Sequence, residues 1–151
     1  MPTGYIELRD VPVLRVKADM KGKGPPAAFK ELESKLPTLK GRRFYGIFQS
    51  APERAEEYWA CVAMVEGDDP VALRLETGVI KGGWYPRRRV VNWEQVVREG
   101  RMPLMFDELA EKNSSNLDVS RASVEFYRSQ DELIIMVPLA RAPKSSSAQN
   151  A

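Results

Sequence analysis

The sequence predicts an α+β fold, one antiparallel sheet with helices on one face and a ligand groove on the other. Two observations carry this. The order strand, helix, strand, strand occurs twice, over about residues 5–66 and 71–140. The two halves also echo each other in residues: FYGIFQS precedes a strand ending in AMVEG, and VEFYRSQ precedes one ending in MVPLA. In that alignment Phe48 takes the place of Tyr127, and Gly46 that of Glu125. A repeat of this kind cannot bury its sheet alone and needs its partner. Two units side by side give one sheet with both helices on one side. The domain is expected over residues 1–141, with the apolar-poor tail 142–151 disordered.

The elements follow in order. Tyr5 to Lys17 alternates loosely around Pro12 and predicts an extended strand with a kink or an edge. Lys21 to Pro26 is a loop without the spaced glycines and Lys-Ser/Thr of a phosphate-binding loop. Pro25 or Pro26 starts a helix carrying Phe29, Leu32 and Leu36 at helical spacing, and Pro37 stops it. Phe44 to Gln49 is a strand, Ser50 to Glu57 a charged loop, and Tyr58 to Val65 a buried strand. Val71 to Asn92 predicts a long extended stretch broken at Gly82-Gly83. Asn92 and Gln95 resemble a capping box, opening a short helix that ends at Gly100. A second helical piece runs from Pro103 to about Lys112. Ser123 to Leu139 is a hairpin turning at Ser129-Gln130.

Composition removes several functions. Among 151 residues there is no histidine and one cysteine, Cys61, so histidine-based triads and the usual zinc ligand sets are excluded. No metal and no cofactor are expected, and chemistry must run on carboxylates, tyrosines, lysines or arginines. A net charge of +2 does not argue for nucleic acid. No apolar run approaches 18 residues and no secretory signal opens the chain. With a single thiol, a cytoplasmic location is expected, and whether the chain pairs with itself stays open. Cys61 reads as an inert buried thiol. Arg87-Arg88-Arg89 reads as a solvated face or edge protection, and Trp59 and Trp93 as core or helix-packing residues.

One residue does not fit its strand. Glu125 lies two before Tyr127, so the pleat puts both on one face. With the turn at Ser129-Gln130, Ile134 and Met136 fall roughly opposite or beside them, while Phe126, Leu133 and Ile135 face the helices. A carboxylate among rings and apolar side chains either points to water or awaits a partner.

LETGVIKGGWY (Leu75 to Tyr85), YWACVAMV (Tyr58 to Val65) and VEFYRSQDELIIMVPL (Val124 to Leu139), in that company and with the duplication, resemble the GyrI-like small-molecule-binding domain family. The resemblance covers Tyr5 to Ala140. It departs from the family pattern at the helix interrupted by Gly100 and Pro103, and at Trp84-Tyr85-Pro86. It implies a groove between the repeats, lined by an acidic residue and aromatic rings, that binds lipophilic, often cationic, aromatic compounds. It also implies stand-alone relatives, among them a gyrase modulator and proteins resembling hydrolases of strained-ring genotoxins.

Three functions are therefore weighed. The first is capture of a hydrophobic or cationic aromatic molecule, with Glu125 for charge and Tyr127, Phe44, Phe48, Tyr58, Trp84, Tyr85 and Met136 around it. The second is a small hydrolase, with Glu125 as general base and Tyr127 assisting. The third is a protein- or DNA-interacting modulator acting through Arg87 to Arg89.

Overall fold

The β-branched and aromatic runs form eight strands in the computed structural model, which describes residues 3–51 and 54–143. They are β1 (Thr3–Leu8), β2 (Val11–Lys17), β3 (Phe44–Ala51), β4 (Arg54–Ala63), β5 (Glu76–Ile80), β6 (Gly83–Val91), β7 (Ser123–Tyr127) and β8 (Glu132–Met136). The helices are α1 (Gly24–Ser34), α2 (Pro70–Leu73), α3 (Trp93–Arg98) and α4 (Met102–Glu111). All eight strands join one sheet in the order β1-β6-β8-β7-β3-β4-β2-β5, and every neighbouring pair is antiparallel.

That order forces the sheet to curl. β1 and β2 are joined through Arg9-Asp10 alone, yet β1 is one edge of the sheet and β2 lies next to the other edge. β5, that other edge, is joined through Lys81-Gly82 to β6, which lies next to β1. Links this short require the two ends to approach each other. They meet where the Gly82 N–H donates to Asp10 Oδ1 at 2.7 Å. A Cβ on Gly82 would lie 2.7 Å from the Leu8 carbonyl oxygen and 2.9 Å from the Asp10 nitrogen, so only glycine fits that crossing.

One face carries the helices. A single cross-strand row runs Leu14, Val62, Phe44, Tyr127, Leu133, Val90. α1 packs Ala28 and Leu32 on the Leu14 end of it, and α3 and α4 pack Val96, Met102 and Leu109 on the Val90 end. The other face is buried without helices: Val13, Tyr45, Ile47, Cys61, Val124, Ile134 and Met136 pack against one another inside the curl. Burial pushes the Cys61 thiol up to about 12, which leaves it protonated.

Several expectations need correction. The stretch Tyr5 to Lys17 is two strands, broken at Arg9-Asp10 rather than kinked at Pro12. Much of the loop expected over Ser50 to Glu57 is strand, and its residues 52 and 53 lie outside the described residues. The stretch from Val71 to Asn92 opens with a helical turn, because Asp69 caps it by accepting from the N–H of Val71 and Ala72 and Pro70 follows the cap. Gly82-Gly83 marks the boundary between two strands, with Gly82 in the link and Gly83 opening β6, and is not a bulge within one. Asn92 makes no side-chain cap. It adopts a left-handed conformation, φ 55°, and donates its N–H to Asp131 O. The tail call falls from residue 144 onward outside the described residues. Among the described residues no helix is long and apolar enough to cross a membrane.

Candidate functional site

Gly46 of β3 is the floor of the site. It pairs with Ala60 on one side and with Glu125 on the other, so two small residues border the carboxylate in one row. A Cβ at Gly46 would fall 2.0 Å from the Tyr58 hydroxyl and 2.5 Å from Glu125 Oε1. Both side chains therefore lie down over the glycine. Tyr58 reaches in from β4 and Tyr127 from β7, two residues along from Glu125.

The three polar groups form one cluster. Tyr58 OH donates to Glu125 Oε1 at 2.5 Å, and Tyr127 OH donates to the same oxygen at 2.8 Å. The two phenol oxygens lie 3.1 Å apart. Glu125 Oε2 takes no hydrogen bond among the described residues, and the side chain is part-buried. Burial raises the Glu125 carboxyl above the ordinary carboxylate range, while the hydrogen bonds from Tyr58 and Tyr127 oppose that rise. Burial, then the neighbouring Glu125 charge, pushes both phenols far up, so neither ionises near neutrality.

Aromatic rings surround the cluster. Phe29 of α1 stands edge-on to Tyr127 at 5.2 Å between centroids and to Tyr58 at 6.2 Å. Trp93, the first residue of α3, stands edge-on to Tyr127 at 5.1 Å. Phe44 pairs with Tyr127 and Phe48 with Tyr58, on the same face. The structure thus brings Glu125, Tyr127, Tyr58, Phe44 and Phe48 together.

Their face is the opposite of the one expected. They share the helix-bearing side, between α1 and α3, and not the helix-free side. The hairpin register is also shifted. Tyr127 pairs with Leu133 and Glu125 with Ile135, because five residues, Arg128 to Glu132, rather than four separate the paired Tyr127 from its partner. A one-residue slip exchanges faces. Met136 and Ile134 therefore lie inside the curl, with Phe126, while Leu133 and Ile135 do face the helices. Tyr85 is also inside the curl, 1% exposed, donating its hydroxyl to Lys81 O at 2.6 Å. Trp84 is remote: Arg88 of β6 continues the Glu125–Ile135 row, and Trp84 lies four residues along that strand.

Phe29 and Trp93 were not singled out for the site. Phe29 sat in a helical apolar stripe, and Trp93 beside a helix start. Only the packing of α1 and of the start of α3 over the sheet centre reveals them. Of the arginine run, Arg88 pairs with Glu108 at 2.7 Å and Arg89 with Glu132, which spends two of its three charges within the protein. Among the described residues no cluster of three His, Cys, Asp or Glu is placed to hold a metal ion.

No family model and no curated protein matches the chain. Solved structures do. SAV2435 bound to tetraphenylphosphonium superposes with a TM-score of 0.63 at 10% identity, covering 99% of this chain and 98% of that one. The EcmrR C-terminal domain gives 0.58 at 14% identity, covering 93% and 98%. A hydrolase from Listeria innocua gives 0.56 at 13% identity, covering 91% of each chain. At these identities the likeness establishes a shared fold, a curled antiparallel sheet with a few helices, and nothing finer.

Proposed function

We propose that this chain is a GyrI-like binding module for lipophilic aromatic cations, with the cation seated against Glu125. The observation that carries the reading is the divided carboxylate. One oxygen is held by two phenols, and the other has no protein partner among the described residues. A part-buried carboxylate without a counter-charge is costly, and a greasy cation relieves that cost. The flanking ring faces add roughly 0.5–2 kcal/mol of cation–π attraction. The tetraphenylphosphonium bound by the structural relative SAV2435 is a compound of this class and supports the choice of ligand.

Under this reading the chain is two halves, about 5–66 and 71–140, which meet at the β3–β7 junction and exchange outer strands, β1 pairing with β6 and β5 with β2. The register supports it. If Gly46 and Glu125 are equivalent, Phe48 corresponds to Tyr127 and Phe44 to Ser123. The pair Phe44–Tyr127 then maps onto Ser123–Phe48, and both pairs are present. A fluorescence titration with a rhodamine dye tests the reading. Binding is expected in the micromolar range, and Glu125→Gln should weaken it about tenfold or more, roughly 1.4 kcal/mol. Unchanged affinity in Glu125→Gln removes Glu125 as the counter-charge.

A second reading, a small hydrolase, is favoured by the same cluster in one respect. Two phenol O–H groups lie against a carboxyl whose raised proton affinity suits a general base. Glu125 would take a proton from water, with Tyr127 steadying the reacting group. Product analysis separates the readings: compound recovered unchanged supports capture, and compound altered only when Glu125 is intact supports turnover.

A further inference from the structure

A cavity of about 250 Å³ lies on the side of the sheet opposite Glu125, at the seam where the curled ends approach. Its walls come from β3, β4, the end of β5, Lys81, Tyr85 and the chain leading into β7. Its chemistry is the reverse of the Glu125 cluster. Three cations line it, Arg15, Lys81 and Arg121, against one acid, Glu57.

These charges are not equally committed. Arg121 is spent on structure: Nε donates to Asp118, Nη1 to Gly82 O and Nη2 to Leu139 O. Glu57 is engaged by the Trp59 indole N–H at 3.3 Å and by Lys17 at 3.6 Å. Arg15 and Lys81 keep capacity. The Arg15 guanidinium lies 3.8 Å from the Trp59 ring centroid, on the strand pairing with Gly78, where a Cβ would come within 2.8 Å of its Nε. Among the described residues only its Nη2 is bonded, to Glu76 at 2.7 Å, and its buried Nε has no partner. Lys81 is exposed and makes no side-chain ion pair among the described residues.

We propose that this cavity is a second ligand site, independent of Glu125, for a small aromatic carboxylate. Arg15 and Lys81 supply the charge that selects an anion, and a guanidinium already seated over an indole is pre-organised to hydrogen-bond. Trp59, Ile47, Val124 and Tyr85 supply an apolar and aromatic wall for a ring. The volume falls below the roughly 300–1,000 Å³ of drug-sized pockets, which limits the ligand to about one substituted ring.

Isothermal calorimetry with benzoate on the full chain tests this, with benzamide and benzamidine as neutral and cationic controls. Benzoate should saturate with a Kd of about 1 mM or tighter, and both controls should bind more weakly. Lys81→Gln, at an exposed position, should weaken benzoate about threefold, as for loss of one exposed ion pair. Ala122→Leu, which adds bulk at the cavity wall, should abolish binding, and Glu125→Gln should leave it intact. Absence of saturation overturns the proposal. So does benzamidine binding as well as benzoate, a Lys81→Gln protein that binds normally, or loss of binding in Glu125→Gln. If Ala122→Leu does not fold, the Lys81→Gln and benzamidine results decide.

Discussion

Glu125 is held by opposing forces: burial favours its neutral form, while two phenol donors favour its charge. Burial dominates, so the folded carboxyl keeps its proton at a pH where the unfolded chain has lost it. Below the ordinary carboxylate range both states are protonated and the stability linked to this group is fully present. It is lost as pH rises through that range towards the raised folded value. Urea unfolding should show this decline in the native protein and not in Glu125→Gln. A cation prefers the ionised carboxylate, so rhodamine affinity should rise across the same window; a pH-independent affinity contradicts a titrating seat. At this scale the sequence was informative. A lone acid in an apolar strand, two residues from a tyrosine, marked Glu125 and Tyr127. Met136 was misplaced because one extra residue in the turn reverses the side from which a strand side chain projects.

The elements bring what the strands lack. α1 and α3 deliver Phe29 and Trp93 over Tyr127 from two sides, and Phe29 also touches Tyr58. The Phe29 ring lies between the α1 backbone and the two phenols, and under the proposed function it gates the approach of a ligand to Glu125. Phe29→Ala should lower stability by about 1–2 kcal/mol, less than a fully buried phenylalanine because the ring is half-buried. In stopped-flow, the same variant should take up and release rhodamine faster. Slower uptake would make Phe29 a docking contact rather than a gate. Both helical pieces of the second half were legible, because Gly100 and Pro103 interrupt the chain between them. The α2 turn was missed although Asp69-Pro70 carries a cap and a first-turn proline. Local composition there was read as a continuation of the strand that follows.

Curling the sheet gives it an interior, and this decides which face is free. Residues on both sides of the central strands are apolar, since one side meets helices and the other meets its own sheet. Alternation alone cannot then say which side carries the helices, and the Glu125 cluster lies on the side opposite the one expected. The closure depends on two short links crossing at Gly82. Gly82→Ala should cost about 1–3 kcal/mol, because the added carbon meets backbone that cannot rotate away. A loss within about 0.5 kcal/mol in urea unfolding would mean the crossing is loose.

The seat of the ligand can be located directly by a crystal structure of the chain with tetraphenylphosphonium. Its charge should lie beside Glu125 Oε2, within about 6 Å of the Tyr58 and Tyr127 ring centroids, with Phe29 turned aside. A phosphonium bound at Trp59 and Tyr85 inside the curl, with the Glu125 cluster still closed, would contradict it.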